Sequence, residues 1–252
     1  MLETMNLNAK ILLLAGSAEA RESAVKLQEL GCVVHAVVSE PPKGPNPMPM
    51  SFELLQEVSQ DQLCEAMRAF DLVVDASHGF DGHMTAMGAQ AAVRMAKPFV
   101  VLSRPGWSVT GQSRWKRAKD VASAMKLIAP QTRVFSATGW ASIQDFETFP
   151  GAQILLRQTT RHDRVPPFDF VELVFGQAPF SVQSEMELFQ ALGVDLLMCR
   201  NLGGKPSRPK LDAAEALGLD VILIDRPALP EGAHVVQDVA AVIQWVVKQC
   251  SL

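Results

Sequence analysis

His78 is the residue whose type and position best suit proton transfer to a bound molecule. It follows a predicted buried strand, Asp71-Leu72-Val73-Val74, and stands among the small or polar residues Asp75, Ser77 and Gly79. Ligands of an open parallel sheet bind beyond the carboxyl ends of its strands, and imidazole exchanges a proton readily near neutral pH. His78 is therefore a candidate catalytic residue. The alternative is a histidine that only caps backbone groups at the strand end.

The histidines and cysteines give little support for a metal site. His83 follows His78 by five positions, which places the two side chains about 140° apart around a helix. The cysteines are scattered and lack a metal-binding spacing; they are Cys32, Cys64, Cys199 and Cys250. We therefore predict no metal site and expect free thiols.

The turn after the first predicted strand can hold a phosphate group. Gly16, Ser17 and Ala18 lead into a helix, whose N-terminal N–H groups and dipole attract anions. The turn lacks the G-x-G-x-x-G pattern, so an ordinary strand-to-helix turn is the alternative. If a dinucleotide binds here, Glu40 at the end of the next strand would contact the ribose hydroxyls and favour NADH, because a carboxylate repels a 2′-phosphate. The alternative for Glu40 is a solvated glutamate.

The second half of the chain contains glycines and cations that suit an anionic small molecule. Thr138 and Gly139 follow another predicted strand, and Asn201 stands beside a glycine pair that would let a ligand approach the backbone. Positive charge follows at Lys205, Arg208 and Lys210. Solvated loop charges are the alternative.

The elements that must position these residues alternate between strand and helix patterns. Strands are predicted at residues 10–15, 33–38, 71–74, 98–102 and 115–118. Helices are predicted at residues 18–30, over most of 52–70, after Phe80, and from Asp120 to about residue 128. Residues 41–49 contain five prolines and predict an irregular surface loop.

Four motifs of the first half recur in order about 120 residues later. The pairs are Gly16 with Gly139, Asp71 with Asp195, Arg104 with Arg226, and Asp120 with Asp238. The repeat predicts an α/β protein of two similar, doubly wound, parallel-sheet (Rossmann-like) halves. We expect residues 1–130 and 131–252 to form the two domains, with a ligand cleft between them.

Composition narrows the class of protein further. The chain has 252 residues, a hydrophobic share of 48% and a net charge of -4, which favours neither nucleic acid nor an anionic membrane as a partner. Its apolar runs are far shorter than the roughly 20 residues of a membrane span, and residues 1–10 lack the pattern of a signal peptide. We expect a cytoplasmic protein. The sequence gives no indication of its oligomeric state.

These stretches together resemble the precorrin-6A reductase family of cobalamin biosynthesis, nearly from end to end. The motifs that carry the resemblance are Gly16-Ser17-Ala18-Glu19-Ala20-Arg21, Asp75-Ala76-Ser77-His78-Gly79-Phe80, Arg104-Pro105-Gly106-Trp107, Thr138-Gly139, Asn201-Leu202-Gly203-Gly204 and Lys210-Leu211. No single motif is specific, but their combination in this order is.

The resemblance implies a two-domain oxidoreductase that reduces one double bond of a corrin precursor, precorrin-6A or its cobalt form, with NADPH or NADH. The residues implied for the cofactor are Gly16, Ser17, Ala18, Glu40 and Ser77. Those implied for the anionic tetrapyrrole are Arg21, Arg104, Thr138, Gly139, Arg200, Asn201, Gly203, Gly204 and Lys210. Two alternatives stay open: a non-catalytic dinucleotide- or tetrapyrrole-binding protein, and an unrelated small-molecule enzyme on the same fold.

Overall fold

Two parallel six-stranded sheets form the framework of the chain. The computed structural model describes residues 7–41, 48–205 and 207–251. The chain divides into two compact units: residues 1–105 with 227–252, and residues 106–226. Residues 42–47 of the predicted proline-rich loop lie outside the described residues.

The first unit contains one sheet with helices on both faces. In spatial order its strands are β3 (Phe52–Leu54), β2 (Val33–Val38), β1 (Lys10–Ala15), β4 (Leu72–Ala76), β5 (Phe99–Leu102) and β12 (His234–Val236). Its helices are α1 (Ala18–Glu29), α2 (Gln60–Met67), α3 (Gly82–Arg94) and α7 (Val239–Cys250). The helix predicted over most of residues 52–70 is wrong at its start, because Phe52–Leu54 instead pairs with β2 as an edge strand.

Strand β1 is buried on both faces of the sheet, because its side chains point alternately to helices on either side. Ile11 and Leu13 pack in the cluster that contains Leu27 of α1 and Val242 of α7. Leu12 and the strand residues that point to the same face as Leu12 pack in a second cluster with residues of α2 and α3. Successive strand residues point to opposite faces, so an unbroken apolar run is what a sheet covered by helices on both faces requires.

The second unit is built in the same way. In spatial order its strands are β9 (Val171–Phe175), β8 (Gln153–Gln158), β7 (Arg133–Ala137), β10 (Leu196–Arg200), β11 (Asp220–Ile224) and β6 (Trp115–Ala118). Its helices are α4 (Val121–Met125), α5 (Val182–Ala191), α6 (Pro209–Ala216) and a 3-10 helix (Trp140–Phe146).

The predicted repeat is confirmed strand by strand, since both sheets have the same order of equivalent strands. It extends to single contacts at the amino ends of the strands. Asp71 accepts a hydrogen bond from the Lys10 N–H at 2.7 Å, and Asp195 accepts one from the Arg133 N–H at 2.8 Å. The predicted α/β class with two doubly wound halves is therefore confirmed.

The predicted domain boundary near residue 130 requires a correction. Strand β6 pairs with β11 in the second sheet, although we expected it to close the first. Strand β12 pairs with β5 in the first sheet, although it follows the second in sequence. Each sheet thus receives its last strand, and the helix that follows, from the other half of the chain. The ligand cleft expected between the halves stays a prediction.

Candidate functional site at the carboxyl ends of the strands

The turn after β1 is fixed to the neighbouring strand β4. Ser17 is the N-cap of α1: its Oγ accepts a hydrogen bond from the Ala20 N–H at 3.1 Å. The same hydroxyl donates to the carbonyl of Ala76, the last residue of β4, at 2.8 Å. The N-terminus of α1 is therefore held in register with the carboxyl end of β4, where the predicted cofactor site lies.

Gly16 has to be a glycine because backbone atoms of the turn after β4 leave no room for a Cβ atom. A Cβ at this position would lie 2.6 Å from the backbone nitrogen of His78 and 3.3 Å from the Ser77 carbonyl carbon. Neither atom can move without moving the turn after β4. The turns after β1 and β4 therefore form one packed structure, which a side chain at Gly16 would force apart.

Asp75 and Ser77 form a buried polar cluster with Thr85 of α3. Asp75 Oδ1 accepts a hydrogen bond from the Ser77 N–H at 2.9 Å, and the Ser77 and Thr85 hydroxyl oxygens lie 3.3 Å apart. Burial raises the pKa of Asp75, while hydrogen bonds from Thr85 and Ser77 oppose the rise. Asp75 is not among the site residues predicted from the sequence, although a carboxyl group at the end of an apolar run indicates a candidate functional residue.

His78 makes the contact that the alternative interpretation required. Its Nδ1 accepts a hydrogen bond from the Phe80 N–H at 3.2 Å, and its carbonyl accepts one from the Asp81 N–H at 2.7 Å. In this arrangement the hydrogen of a neutral imidazole is carried by Nε2. His78 therefore stabilises the turn after β4, and its role in proton transfer stays a prediction.

The remaining candidates of the first unit differ in their surroundings. Arg104 pairs with Glu19 in the first turn of α1, and both side chains are largely buried. Arg21 is half-buried on the same helix, and Glu40 is exposed just beyond β2. The Arg104–Glu19 pair joins residues far apart in sequence, so the sequence analysis could not have found it.

Thr138 and Gly139 follow β7, and Thr138 belongs to a chain of hydroxyl groups. Thr138 Oγ1 lies 2.8 Å from Ser136 Oγ and 2.6 Å from Ser142 Oγ, and Ser142 Oγ donates to the Gly139 carbonyl at 2.8 Å. Gly139 has a φ of 82°, which favours glycine. A Cβ on it would lie 3.7 Å from an Arg200 guanidinium nitrogen, so this candidate cation adjoins the turn.

Asn201 is bound to the chain itself. Its Oδ1 accepts from the Trp107 N–H at 2.7 Å, and its Nδ2 donates to the Trp107 carbonyl at 3.1 Å. Its amide therefore holds residue 107 beside β10, and a contact with substrate stays a prediction. Gly203 and Gly204 follow with φ values of 67° and 73°, as a tight turn near a ligand or the backbone requires.

Lys210 belongs to a buried charged cluster that the sequence analysis missed. Arg157 of β8 and Glu185 of α5 form a buried ion pair at 3.2 Å, and the guanidinium lies 4.2 Å from the Phe180 ring centroid. Lys210 Nζ donates to the Ser207 carbonyl at 2.6 Å. Burial lowers the pKa of Lys210, while Cys199 and Glu185 oppose the shift and Arg157 adds to it.

Other kinds of site find no support in the described ranges. Within them, no set of three or more His, Cys, Asp or Glu side chains is placed to hold a metal ion. No helix in the described part of the chain is both long enough and apolar enough to cross a membrane.

The fold and the strand ends define an α/β protein of two Rossmann-like units, each with polar side chains at the carboxyl ends of its strands. Residues 10–247 match the family described as Precorrin-6x reductase CbiJ/CobK. The precorrin-6A reductase of Rhodococcus erythropolis is 36% identical over 243 residues, which cover 94% of this chain and 97% of that protein. The cobalt-precorrin-6A reductase of Priestia megaterium is 25% identical over 240 residues, which cover 88% of this chain and 92% of that protein.

A solved structure, CobK precorrin-6A reductase, superposes with a TM-score of 0.86 at 28% identity, covering 96% of this chain and 97% of that one. The chain belongs to the precorrin-6x reductase family, as the resemblance implied. Membership of this reductase family implies that a reduced nicotinamide is the cofactor. The roles of the individual site residues stay predictions.

Proposed function

We propose that this protein reduces a double bond of precorrin-6A with NADPH or NADH and forms precorrin-6B. The observation that carries the proposal is the near end-to-end match to the family and to a solved member of it. Identity to the Rhodococcus precorrin-6A reductase exceeds identity to the Priestia cobalt-precorrin-6A reductase. We therefore propose the metal-free macrocycle as the substrate.

The turn after β1 suits the cofactor pyrophosphate. Helix α1 has twelve residues and begins directly beyond the strand, so its dipole and N-terminal N–H groups face that strand end. Glu19 in the first turn would repel a pyrophosphate, but the Arg104 guanidinium neutralises it. We propose that Gly16, Ser17 and Ala18 hold the pyrophosphate and that Ser77 contacts the cofactor beside them.

The protein's contribution to the reaction is orientation. A bound reduced nicotinamide supplies the hydride, so the side chains must hold two molecules in a reactive arrangement. We propose that Arg21, Arg104, Arg200 and Lys210 bind carboxylates of the tetrapyrrole, assisted by the turns at Thr138, Gly139, Asn201, Gly203 and Gly204. Among these cations, Arg200 adjoins the positive-φ turn at Gly139, so we expect it to contribute most in the second unit.

Glu40 is proposed to set the choice between NADH and NADPH. It is exposed and lies just beyond β2, the strand next to β1. A carboxylate beside the ribose accepts hydrogen bonds from its hydroxyls and repels a 2′-phosphate. We predict that Glu40→Gln shifts the ratio of kcat/KM for NADPH over NADH upward about fivefold, which is about 1 kcal/mol of relieved repulsion. Steady-state kinetics with both cofactors measure it, and an unchanged ratio would remove Glu40 from the cofactor site.

The reductase activity itself is tested by mixing the purified protein with precorrin-6A and each reduced cofactor, while the absorbance of pigment and cofactor is followed together. We expect pigment reduction to match cofactor oxidation. A parallel sample with cobalt-precorrin-6A tests the choice of macrocycle. Binding of both molecules without reduction would contradict the proposal and favour a non-catalytic binding protein.

A further inference from the structure

Asp75 is a buried carboxyl group next to the proposed cofactor site that none of the assigned roles uses. It lies in β4, whose five residues are all buried, opposite Leu14 of β1 and Val101 of β5. Only 1% of its surface is exposed. A buried carboxyl group costs stability unless its oxygens are paired, so its retention here calls for a specific role.

Each polar partner of Asp75 belongs to the end of the strand or to the helix behind it. Oδ1 accepts a hydrogen bond from the Ser77 N–H at 2.9 Å, which closes a short turn two residues along the chain. The Ser77 hydroxyl, itself buried, lies 3.3 Å from that of Thr85 on α3. Asp75 thus holds the backbone of Ser77, and Thr85, which also hydrogen-bonds to Asp75, borders the Ser77 hydroxyl.

The two carboxyl oxygens of Asp75 differ in their surroundings. Oδ2 is buried and unpaired among the described residues. Burial raises the pKa of the group, which favours the uncharged acid. An amide of the same shape keeps an oxygen that accepts from the Ser77 N–H, whereas a methyl group does not.

The effect of Asp75 extends to the turn after β1. Ser17 donates to the carbonyl of Ala76, and Gly16 packs against the His78 nitrogen. Both contacted residues are immediate neighbours of Ser77. A displacement of Ser77 therefore displaces the N-terminus of α1, where the pyrophosphate is proposed to bind.

We propose that Asp75 is a positioning residue for the nicotinamide cofactor: through the Ser77 N–H it holds the turns after β4 and β1 in the arrangement that binds the cofactor. The inference rests on the proposed function, because it assumes that the cofactor binds at these strand ends. Asp75 would thereby affect the affinity for the cofactor without touching the cofactor.

The test compares Asp75→Ala with Asp75→Asn by titrating NADPH and NADH in the absence of the macrocycle, and records thermal unfolding of each variant. We expect Asp75→Ala to raise the Kd of both cofactors about tenfold. We expect Asp75→Asn to remain within about twofold of the wild type, because its amide oxygen still accepts from the Ser77 N–H.

Asp71→Ala is the matched control. Asp71 also accepts a hydrogen bond from a backbone N–H, that of Lys10, but at the amino end of the same sheet. Its loss should lower the unfolding temperature without changing the Kd of either cofactor. An equal rise in Kd for Asp71→Ala and Asp75→Ala would mean that only stability was lost, and would overturn the proposal. A Kd for Asp75→Ala that stays within twofold of the wild-type value would also overturn the proposal.

Thr85→Val decides the question if Asp75→Ala does not fold. It keeps the shape of the side chain but removes the hydroxyl beside Ser77, and we expect the cofactor Kd to rise about threefold. An unchanged Kd overturns the proposal.

Failure of the proposed function is distinguishable from failure of this inference. A wild type that binds cofactor more tightly than Asp75→Ala but leaves precorrin-6A unreduced supports the inference and contradicts the function. A wild type that binds neither cofactor overturns the inference.

Discussion

The carboxyl ends of β4 and β10 occupy equivalent positions in two sheets of the same strand order, yet they carry opposite chemistry. At this end β4 contains the buried Asp75, and Ser77 and Asp81 follow the strand. The end of β10 carries Arg200, and Lys210 follows at the start of α6. The Ser77 hydroxyl suits a ribose or a nicotinamide amide, and the two cations suit the carboxylates of a tetrapyrrole. We therefore propose that the two copies of the repeated scaffold contact different ligands at these two strand ends.

The largest expected effect comes from breaking the charged cluster of the second unit. Glu185→Gln leaves the Arg157 guanidinium buried without its carboxylate, and we expect a loss of about 3–5 kcal/mol in the free energy of unfolding. Denaturant unfolding measures it. Asp225→Asn, which breaks the exposed Arg117–Asp225 pair, is the control and should cost less than about 1 kcal/mol. Equal losses would show that the buried cluster is not specially dependent on Glu185.

A pair of glycine substitutions separates the two proposed ligand sites. Gly16→Ala places a methyl group against the His78 nitrogen, and displacement of the turn should weaken cofactor binding by up to about a hundredfold. Gly139→Ala strains a positive-φ turn beside Arg200, and should raise the KM for precorrin-6A while leaving the cofactor Kd unchanged. If both variants affected the same ligand, the assignment of the cofactor to the turn at Gly16 and of the macrocycle to the turn at Gly139 would be wrong.

Arg200→Ala tests whether the end of β10 binds the carboxylates of the substrate. Loss of a charge-assisted hydrogen bond to a carboxylate is worth about 1.5–3 kcal/mol, so we expect the KM for precorrin-6A to rise tenfold or more. The cofactor Kd should not change. Arg117→Ala, which removes an exposed arginine on β6, is the matched control and should leave both constants as they are.

The smallest expected effect is a pH dependence from Asp75. Its pKa is raised in the folded protein above the ordinary value of about 3.9, so above that pH the folded state binds more protons than the unfolded state. The free energy of unfolding should therefore fall, relative to that of Asp75→Asn, as the pH rises from about 4 to the raised pKa. Denaturant unfolding at several pH values measures the difference, and a constant difference would show that Asp75 does not titrate in this way.

The sequence predicted most of the fold because the two halves repeat local patterns that specify strands and helices. It could not predict which sheet receives β6 or β12. Lys119-Asp120-Val121-Ala122 and Gln237-Asp238-Val239-Ala240 carry the same local signal, a strand end followed by a capped helix. Local sequence determines that element but not its long-range pairing, so the domain boundary was misplaced.

The sequence predicts which strand ends carry the candidate residues, but it does not predict the contacts that those residues make. The strand ends followed from topology, and the family motifs selected them. Long-range partners were not visible: Glu19 for Arg104, Trp107 for Asn201, and Glu185 for the cluster around Lys210. Side chains chosen for ligand binding on residue type alone also satisfy buried groups of the protein, as His78 does for the Phe80 N–H.

The central claim, that this chain transfers hydride from a nicotinamide to precorrin-6A, is tested most directly with a cofactor deuterated at the transferable position. The reduced macrocycle is isolated and its mass is compared with that formed from unlabelled cofactor. We predict that each product molecule gains one deuterium atom from the labelled cofactor. Reduced product without deuterium from either face of the cofactor, or bound precorrin-6A that is never reduced, would contradict the claim.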